Sequence, residues 1–315
     1  MVKGTLDRWL QPGVILRKVY ERMVPNLIFV DKVTKINEDN PWFMYSYNGY
    51  SMSTDPKKKT PPHAKIGGLL PELDYTRESV TSAATHSRGF SIRLTHDMLL
   101  KRKTAAQEIQ KANLRAGFWM AELINSQILT AMEAGATTPT WTPTAVWSDA
   151  AATPIMDLEK FGEQFSVNEG YTYQFTDAFV YKTNWHELRR YVLDYDNRYL
   201  VGGIPKVDRD IIYIPSLNLK VHKVMSGISD GTIMGLDTTN PVSEYHYFND
   251  PEYSTANVTY ETVANNKKTT KTVSNMGIHF DKIKENDTKD YLLQYWYQAK
   301  TVVTNTYGIL EDTGI

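Results

Sequence analysis

Hydrophobic and polar positions along the chain change period several times, and each change marks an element. From about Thr95 to Ala134 the period is helical. Ala105, Ile109, Ala112, Ala116, Trp119 and Leu123 recur at steps of four, three, four, three and four, which predicts one buried stripe. About 39 residues at about 1.5 Å each make a rod of roughly 58 Å, against an average globular helix of about 11–12 residues. Gly117 inside it costs about 1 kcal/mol relative to alanine, and Gly135 is a C-terminal stop.

Before this helix the pattern is broken. Residues 1–36 read as an extended or partly helical arm interrupted by Pro12 and Pro25, with a short strand at 26–30. Residues 41–90 alternate aromatic stretches such as Trp42-Phe43-Met44-Tyr45-Ser46-Tyr47 with Pro56, Pro61, Pro62, Pro71, Gly67-Gly68 and Lys57-Lys58-Lys59. The flanks form strands, but the middle lacks the apolar content for a core, so a long two-stranded arm that leans on something else is expected.

After the helix, a Thr/Ala/Pro-rich connection with Trp141 and Trp147 leads to Pro154 and a second helix over 155–165. A strand is expected at 178–181, and a helix at 184–193 capped by Thr183 or Asn184. Residues 211–280 read as strand and turn, with Tyr245, Tyr247, Tyr253 and Tyr260 and a polar hairpin tip at 265–270. Tyr291, Leu293, Tyr295, Tyr297 and Ala299 alternate along one face of a long last strand. Mixed strands and helices indicate an α/β or α+β arrangement.

Composition narrows the function. With 35 basic and 36 acidic residues in 315, the formal charge is -1, which argues against a chain built mainly to coat nucleic acid. The absence of cysteine excludes disulfides, thiolate metal sites and cysteine nucleophiles. Charged residues interrupt the first 30 positions and no apolar run reaches about 18 residues, so neither a secretory signal nor a membrane span is expected, and production in the cytoplasm is.

Candidate chemistry is sparse. His186-Glu187-Leu188-Arg189-Arg190 starts like a zinc-protease motif but carries arginine where the second histidine must stand. Asp194-Tyr195-Asp196-Asn197 and Asp208-Arg209-Asp210 offer paired carboxylates for a cation or for acid–base work, though solvated loops read better. The histidines (His63, His86, His96, His186, His222, His246, His279) show no paired ligand spacing, and Gly67-Gly68 and Gly202-Gly203 read as turns. Lys57-Lys58-Lys59 and Lys101-Arg102-Lys103 are basic runs available to phosphate or acidic surfaces. Twenty tyrosines and seven tryptophans suit interfaces as well as a core. No catalytic, cofactor-binding or metal-ligating residue is expected.

The order of elements resembles the major capsid protein of tailed bacteriophages and related archaeal viruses, the Hong Kong 97-type fold. Residues 87–95 (SRGFSIRLT) resemble the strand leading from the extended E-loop into the spine helix, and 96–134 are similar to that helix. Val146-Trp147-Ser148 with Pro154-Ile155-Met156-Asp157-Leu158 resembles the entry to the next helix. Residues 178–188 resemble the strand and helix opening the axial domain, and 301–310 the closing peripheral strand. The resemblance implies an α+β fold with an N-terminal arm (1–36), E-loop (37–90), peripheral domain with spine helix (91–154), axial domain with an elaboration near 240–280 (155–280) and a return to the peripheral domain (281–315).

It further implies a structural protein of the virion, not an enzyme, that self-assembles through hexamers and pentamers into an icosahedral shell around double-stranded DNA. Expected partners are other copies, portal and scaffolding proteins, and decoration proteins; the short lead-in before the arm implies a separate scaffolding protein. Two other functions compete. One is an encapsulin-type nanocompartment with protein cargo, and the other a hydrolase using Asp194, Asp196, Asp208 or Asp210 in a tyrosine-lined cleft.

Overall fold

Pro12 opens the first helix at a position where a missing N–H costs nothing, and its fixed φ suits the first turn. The structure, a computed structural model, describes residues 10–46, 50–51, 76–77, 80–97, 102–139, 141, 143, 145–167, 173–194, 206–225, 227–240, 242–264, 267–285 and 290–315. Helix α1 (Pro12–Met23) leads to strands β1 (Thr34–Glu38), β2 (Trp42–Ser46), β3 (Tyr50–Ser51), β4 (Thr76–Arg77), β5 (Val80–Ala84) and β6 (His86–Leu94), and then to α2 (Arg102–Gly135). Next come α3 (Pro154–Glu163), β7 (Asp177–Tyr181), α4 (Lys182–Leu193), β8 (Lys206–Val207), β9 (Ile211–Ile214), β10 (Leu219–Val224) and β11 (Thr232–Leu236). The chain finishes with β12 (Ser243–Phe248), β13 (Asn257–Ala264), β14 (Lys267–Ser274), β15 (Ile278–Lys284), β16 (Tyr291–Val303) and β17 (Ile309–Thr313). The fold is mixed α+β, in two units.

The first unit comprises Met1–Phe43, Ser82–Ile128 and Glu244–Val302. Its sheet runs β1-β12-β16-β15, with β6 also on β16. Alternation along β16 buries Leu293, Tyr295, Tyr297 and Ala299 as the sequence expects. Their polar tips find partners where they can: the Tyr295 hydroxyl donates to Asn113 Oδ1 of α2 at 2.8 Å. Helix α1 packs on β13 and β15 and buries Ile15, Leu16, Val19, Tyr20 and Met23 completely. The start of the chain is thus partly core, not only an arm.

Three local expectations are corrected here. Residues 26–30 form no strand: 3₁₀ turns occupy Val24–Asn26 and Val30–Lys32. Asn125 holds the peptide between them, donating to Asn26 O at 2.8 Å and accepting from Ile28 N at 3.0 Å, so local capping wins over a strand with nothing to pair with. On α2 the buried stripe is Ile109, Ala112, Ala116, Met120, Ile124 and Ile128, while Trp119 is 43% exposed and Leu123 half-buried. The step from Ala116 is four, to Met120, and Trp119 lies at the margin with Phe90 edge-on at 5.2 Å. The side chain of Ala105 lies outside the described residues. Third, Gly117 is more than a helix penalty. A Cβ there would sit 2.6 Å from Val19 O, so its absence lets α1 cross α2 closely.

The second unit comprises Met44–Thr81, Leu129–Ser243 and Val303–Ile315. Its sheet runs β17-β11-β7-β10-β9-β8, with β7 and β10 parallel and the other pairs antiparallel. One face (Ala178, Val180, Ile212, Ile214, Leu219, Val221, Ile233) packs with Leu158 and Phe161 of α3 and Trp185, Leu188 and Val192 of α4. Thr183 and Asn184 do not cap α4, whose N-cap is Tyr181. Asn184 instead donates to Ile315 O at 3.1 Å and accepts from Gly231 N at 3.0 Å, tying down the chain end. The segment 244–280, which the resemblance groups with 155–243, clusters with the first unit.

Candidate assembly surfaces

Strand alternation turns Trp42 and Met44 of β2 to one side and Phe43 to the other. Phe43 is buried and stacks on His246 of β12, ring centroids 4.0 Å apart at 11°. The His246 ring lies between two carboxylates: Nδ1 is 2.6 Å from Glu38 Oε1 and Nε2 is 2.9 Å from Glu244 Oε2. Thr85 N donates to Pro41 O at 2.8 Å and closes the same turn. Beyond it β2 pairs with β5 and β3 with β4, as expected for a two-stranded arm. The arm's centre, with Lys57-Lys58-Lys59, Lys65 and Gly67-Gly68, lies outside the described residues.

Trp42 and Met44 face solvent, 75% and 68% exposed. Enclosing the exposed three-quarters of a tryptophan of about 150–250 Å² contributes about 3–5 kcal/mol at about 25 cal/mol per Å². On the outer side of α2, Leu114 and Phe118 stand one turn apart and exposed, beside Trp119. In the second unit Met156, Leu193, Ile211 and Met225 are exposed singly, which ordinary surfaces tolerate.

The acidic candidates do not converge among the described residues. Asp194 is exposed just after α4, and Asp196 lies outside the described residues. Asp208 and Asp210 belong to the turn between β8 and β9, where Asp208 Oδ1 accepts from Arg209 N at 2.7 Å and Asp210 pairs with Lys223 at 2.5 Å. Three surface cavities of about 500, 580 and 390 Å³ are lined by other residues. No group of three or more His, Cys, Asp or Glu side chains able to hold a metal occurs among the described residues. His186 is exposed, and Arg190, in the place of the second zinc ligand, pairs with Glu187 at 3.0 Å.

His222 and His279 make structural contacts. His222 Nε2 is 2.6 Å from Asp177 Oδ1, with its ring stacked on Phe179. His279 accepts from Asp250 N at 2.9 Å and stacks on Trp296; burial holds its pKa down at about 4. His86 is exposed, His96 donates its backbone N–H to Asp290 Oδ1, and His63, Lys101, Gly202 and Gly203 lie outside the described residues.

Five carboxyls among the described residues have shifted affinities for protons, and burial raises two of them, Asp157 and Asp312. Burial and the charge of Glu311 raise Glu133, and burial raises Glu311. Burial pushes Asp237 up, but it is outweighed by hydrogen bonds from Thr239, Gln174 and Asn240, which hold its carboxyl below the usual range. The Glu38–His246–Glu244 cluster escaped sequence reasoning because 206 positions or more separate Glu38 from the other two; the parallel register Glu38↔Phe248 and Ile36↔His246 brings them together.

No protein-family profile matches the chain, and no curated protein sequence matches it. Solved structures do. A virus-like particle from Pyrococcus furiosus is 7% identical with a TM-score of 0.55, over 93% of this chain and 95% of that one. The capsid of the cyanophage P-SCSP1u is 10% identical, TM-score 0.54, over 92% and 88%. The SrpI encapsulin of Synechococcus elongatus PCC 7942 is 10% identical, TM-score 0.52, over 89% and 84%. The fold is the Hong Kong 97-type capsid fold, as the order of elements led one to expect.

Proposed function

We propose that this protein is the repeating subunit of a closed shell: a viral major capsid protein, without catalytic duties, that assembles through hexamers and pentamers around double-stranded DNA. The observation that carries the reading is the fold shared with capsid structures over about nine-tenths of the chain. The uncovered Trp42 and Met44 support it, because a strand with an apolar outer face gains by lying on a neighbour. Heterologous contacts of that kind close into rings when the rotation permits. In this reading the first unit serves as peripheral domain, 44–81 as E-loop and 129–243 as axial domain, with portal, scaffolding and decoration proteins as further partners in a virion.

An encapsulin-type compartment is the second reading, favoured by the SrpI match at a similar TM-score. Electron microscopy of the purified protein tests both, with absorbance at 260 and 280 nm on any particle peak. Closed shells are expected, rich in nucleic acid for a capsid and in protein for a compartment. A persistent monomer overturns the proposal. Trp42→Ser with Met44→Ser should leave a folded subunit that makes no stable shells; normal particles from it would refute the role given to the arm.

A further inference from the structure

The Glu38–His246–Glu244 cluster sits at the root of the arm, and its chemistry goes beyond packing. An ionised carboxylate only accepts hydrogen bonds, whereas a neutral imidazole has one N–H and one lone pair. Here both ring nitrogens meet carboxylate oxygens, at 2.6 and 2.9 Å. Only the imidazolium donates to both. Its charge is also placed over the face of Phe43, whose ring lies nearly parallel at 4.0 Å.

The connections run to the arm. Glu38 ends the strand before the turn, Phe43 lies in the strand after it, and Pro41 between them accepts from Thr85 where the arm returns. One histidine therefore spans the exit of the ribbon. The charged groups facing it are Glu38 from β1 and Glu244 from its own strand. Lys300 joins them on β16, since it alternates with the buried Tyr297 and Ala299 while Tyr245 and Tyr297 share the opposite face. β2 contributes Phe43, which is uncharged.

We infer that His246 is a proton-dependent latch that holds the turn between β1 and β2, and with it the Pro41–Thr85 contact, against β12 within the first unit. The sign follows from the donors. While the imidazole carries two protons the latch is closed; as pH rises and one proton leaves, a nitrogen lone pair faces a carboxylate and that side opens. The inference does not depend on what the protein encloses.

Hydrogen exchange of the full chain, followed by mass spectrometry and corrected for the intrinsic pH effect, tests it at the Thr85 amide. As pH rises, wild-type protection should fall roughly tenfold, as for the loss of one charge-assisted bond. His246→Gln should show low protection at every pH. Glu244→Gln is the sharper variant, because a neutral amide can donate to the unprotonated nitrogen or accept from the protonated one. Its protection should stay high throughout. Wild-type protection that does not change with pH, or a Glu244→Gln protein that still loses protection as pH rises, overturns the latch, and these two results stand even where His246→Gln fails to fold.

Discussion

Replacing Gly117 by alanine sets two effects of opposite sign against each other. Alanine in a helix interior is favoured over glycine by about 1 kcal/mol. Against this, the new Cβ would meet Val19 O at 2.6 Å and Arg22 Cβ at 2.8 Å, and α1 would have to retreat by about 0.8 Å to reach the 3.4 Å of an ordinary contact. It is poorly free to do so. Five of its side chains are fully buried, and the Tyr20 hydroxyl donates to Asn275 Oδ1 at 2.7 Å and accepts from Met276 N at 2.9 Å. Overpacking costs about 1–3 kcal/mol and a weakened hydrogen bond about 1 more, so the net expectation is a loss of about 1–3 kcal/mol. Hydrogen exchange over residues 14–23 should then speed up by about 5- to 150-fold. Slower exchange in Gly117→Ala, the signature of helix propensity winning, would refute the close crossing of the two helices.

Two further expectations concern buried polar groups. Asp237 accepts five hydrogen bonds, from Gln174 N, from N and Oγ1 of Thr239 and from N and Nδ2 of Asn240, so Asp237→Asn should destabilise by about 1.5–3 kcal/mol in thermal unfolding. Because this carboxyl is held below its usual range, its contribution is complete above about pH 4, the unfolded value, and is lost as pH falls through the lower folded value; the gap between wild type and Asp237→Asn should narrow in acid, and a constant gap would count against it. Tyr20→Phe orphans the Met276 N–H alone, since Asn275 Oδ1 keeps its bond from Ile278 N at 2.9 Å, and should cost about 1–3 kcal/mol in denaturant titration, with a value below about 0.5 kcal/mol contradicting the network.

The parts of the fold that were legible in the sequence are those where one local pattern decides. The alternation through Tyr295, Tyr297 and Ala299, the helix through Ile109 and Ala116, and the proline start of α3 each act within a few residues, whereas Pro12, which reads as a break in an arm, opens α1. Less legible were outcomes set by distant partners. Trp119 is apolar and at helical spacing, but which of two adjacent positions turns inward was decided by what packs on the helix. Asn184 is a good cap by type, yet the chain end at Ile315 and the loop at Gly231 claim its side chain. The surface candidates divide in the same way. That Trp42 and Met44 share one side follows from strand period two, but which side faces solvent is set by Phe43 packing on His246, and the pairing of Glu38 with His246 rests on a register between strands about 200 residues apart.

The outward face of β2 separates two kinds of selection that usually coincide. Trp42 and Met44 contribute little to the folded subunit, because most of their surface stays in water when it forms. A library of substitutions at these positions, scored for soluble protein, would register tolerance, and polar residues there would improve yield. Scored for particles, the same library would register intolerance at the same two codons. Apolar residues persist at such sites only where the neighbour is part of the phenotype, so under the proposed function the ratio of the two scores along the chain would map subunit contacts with no particle structure in hand.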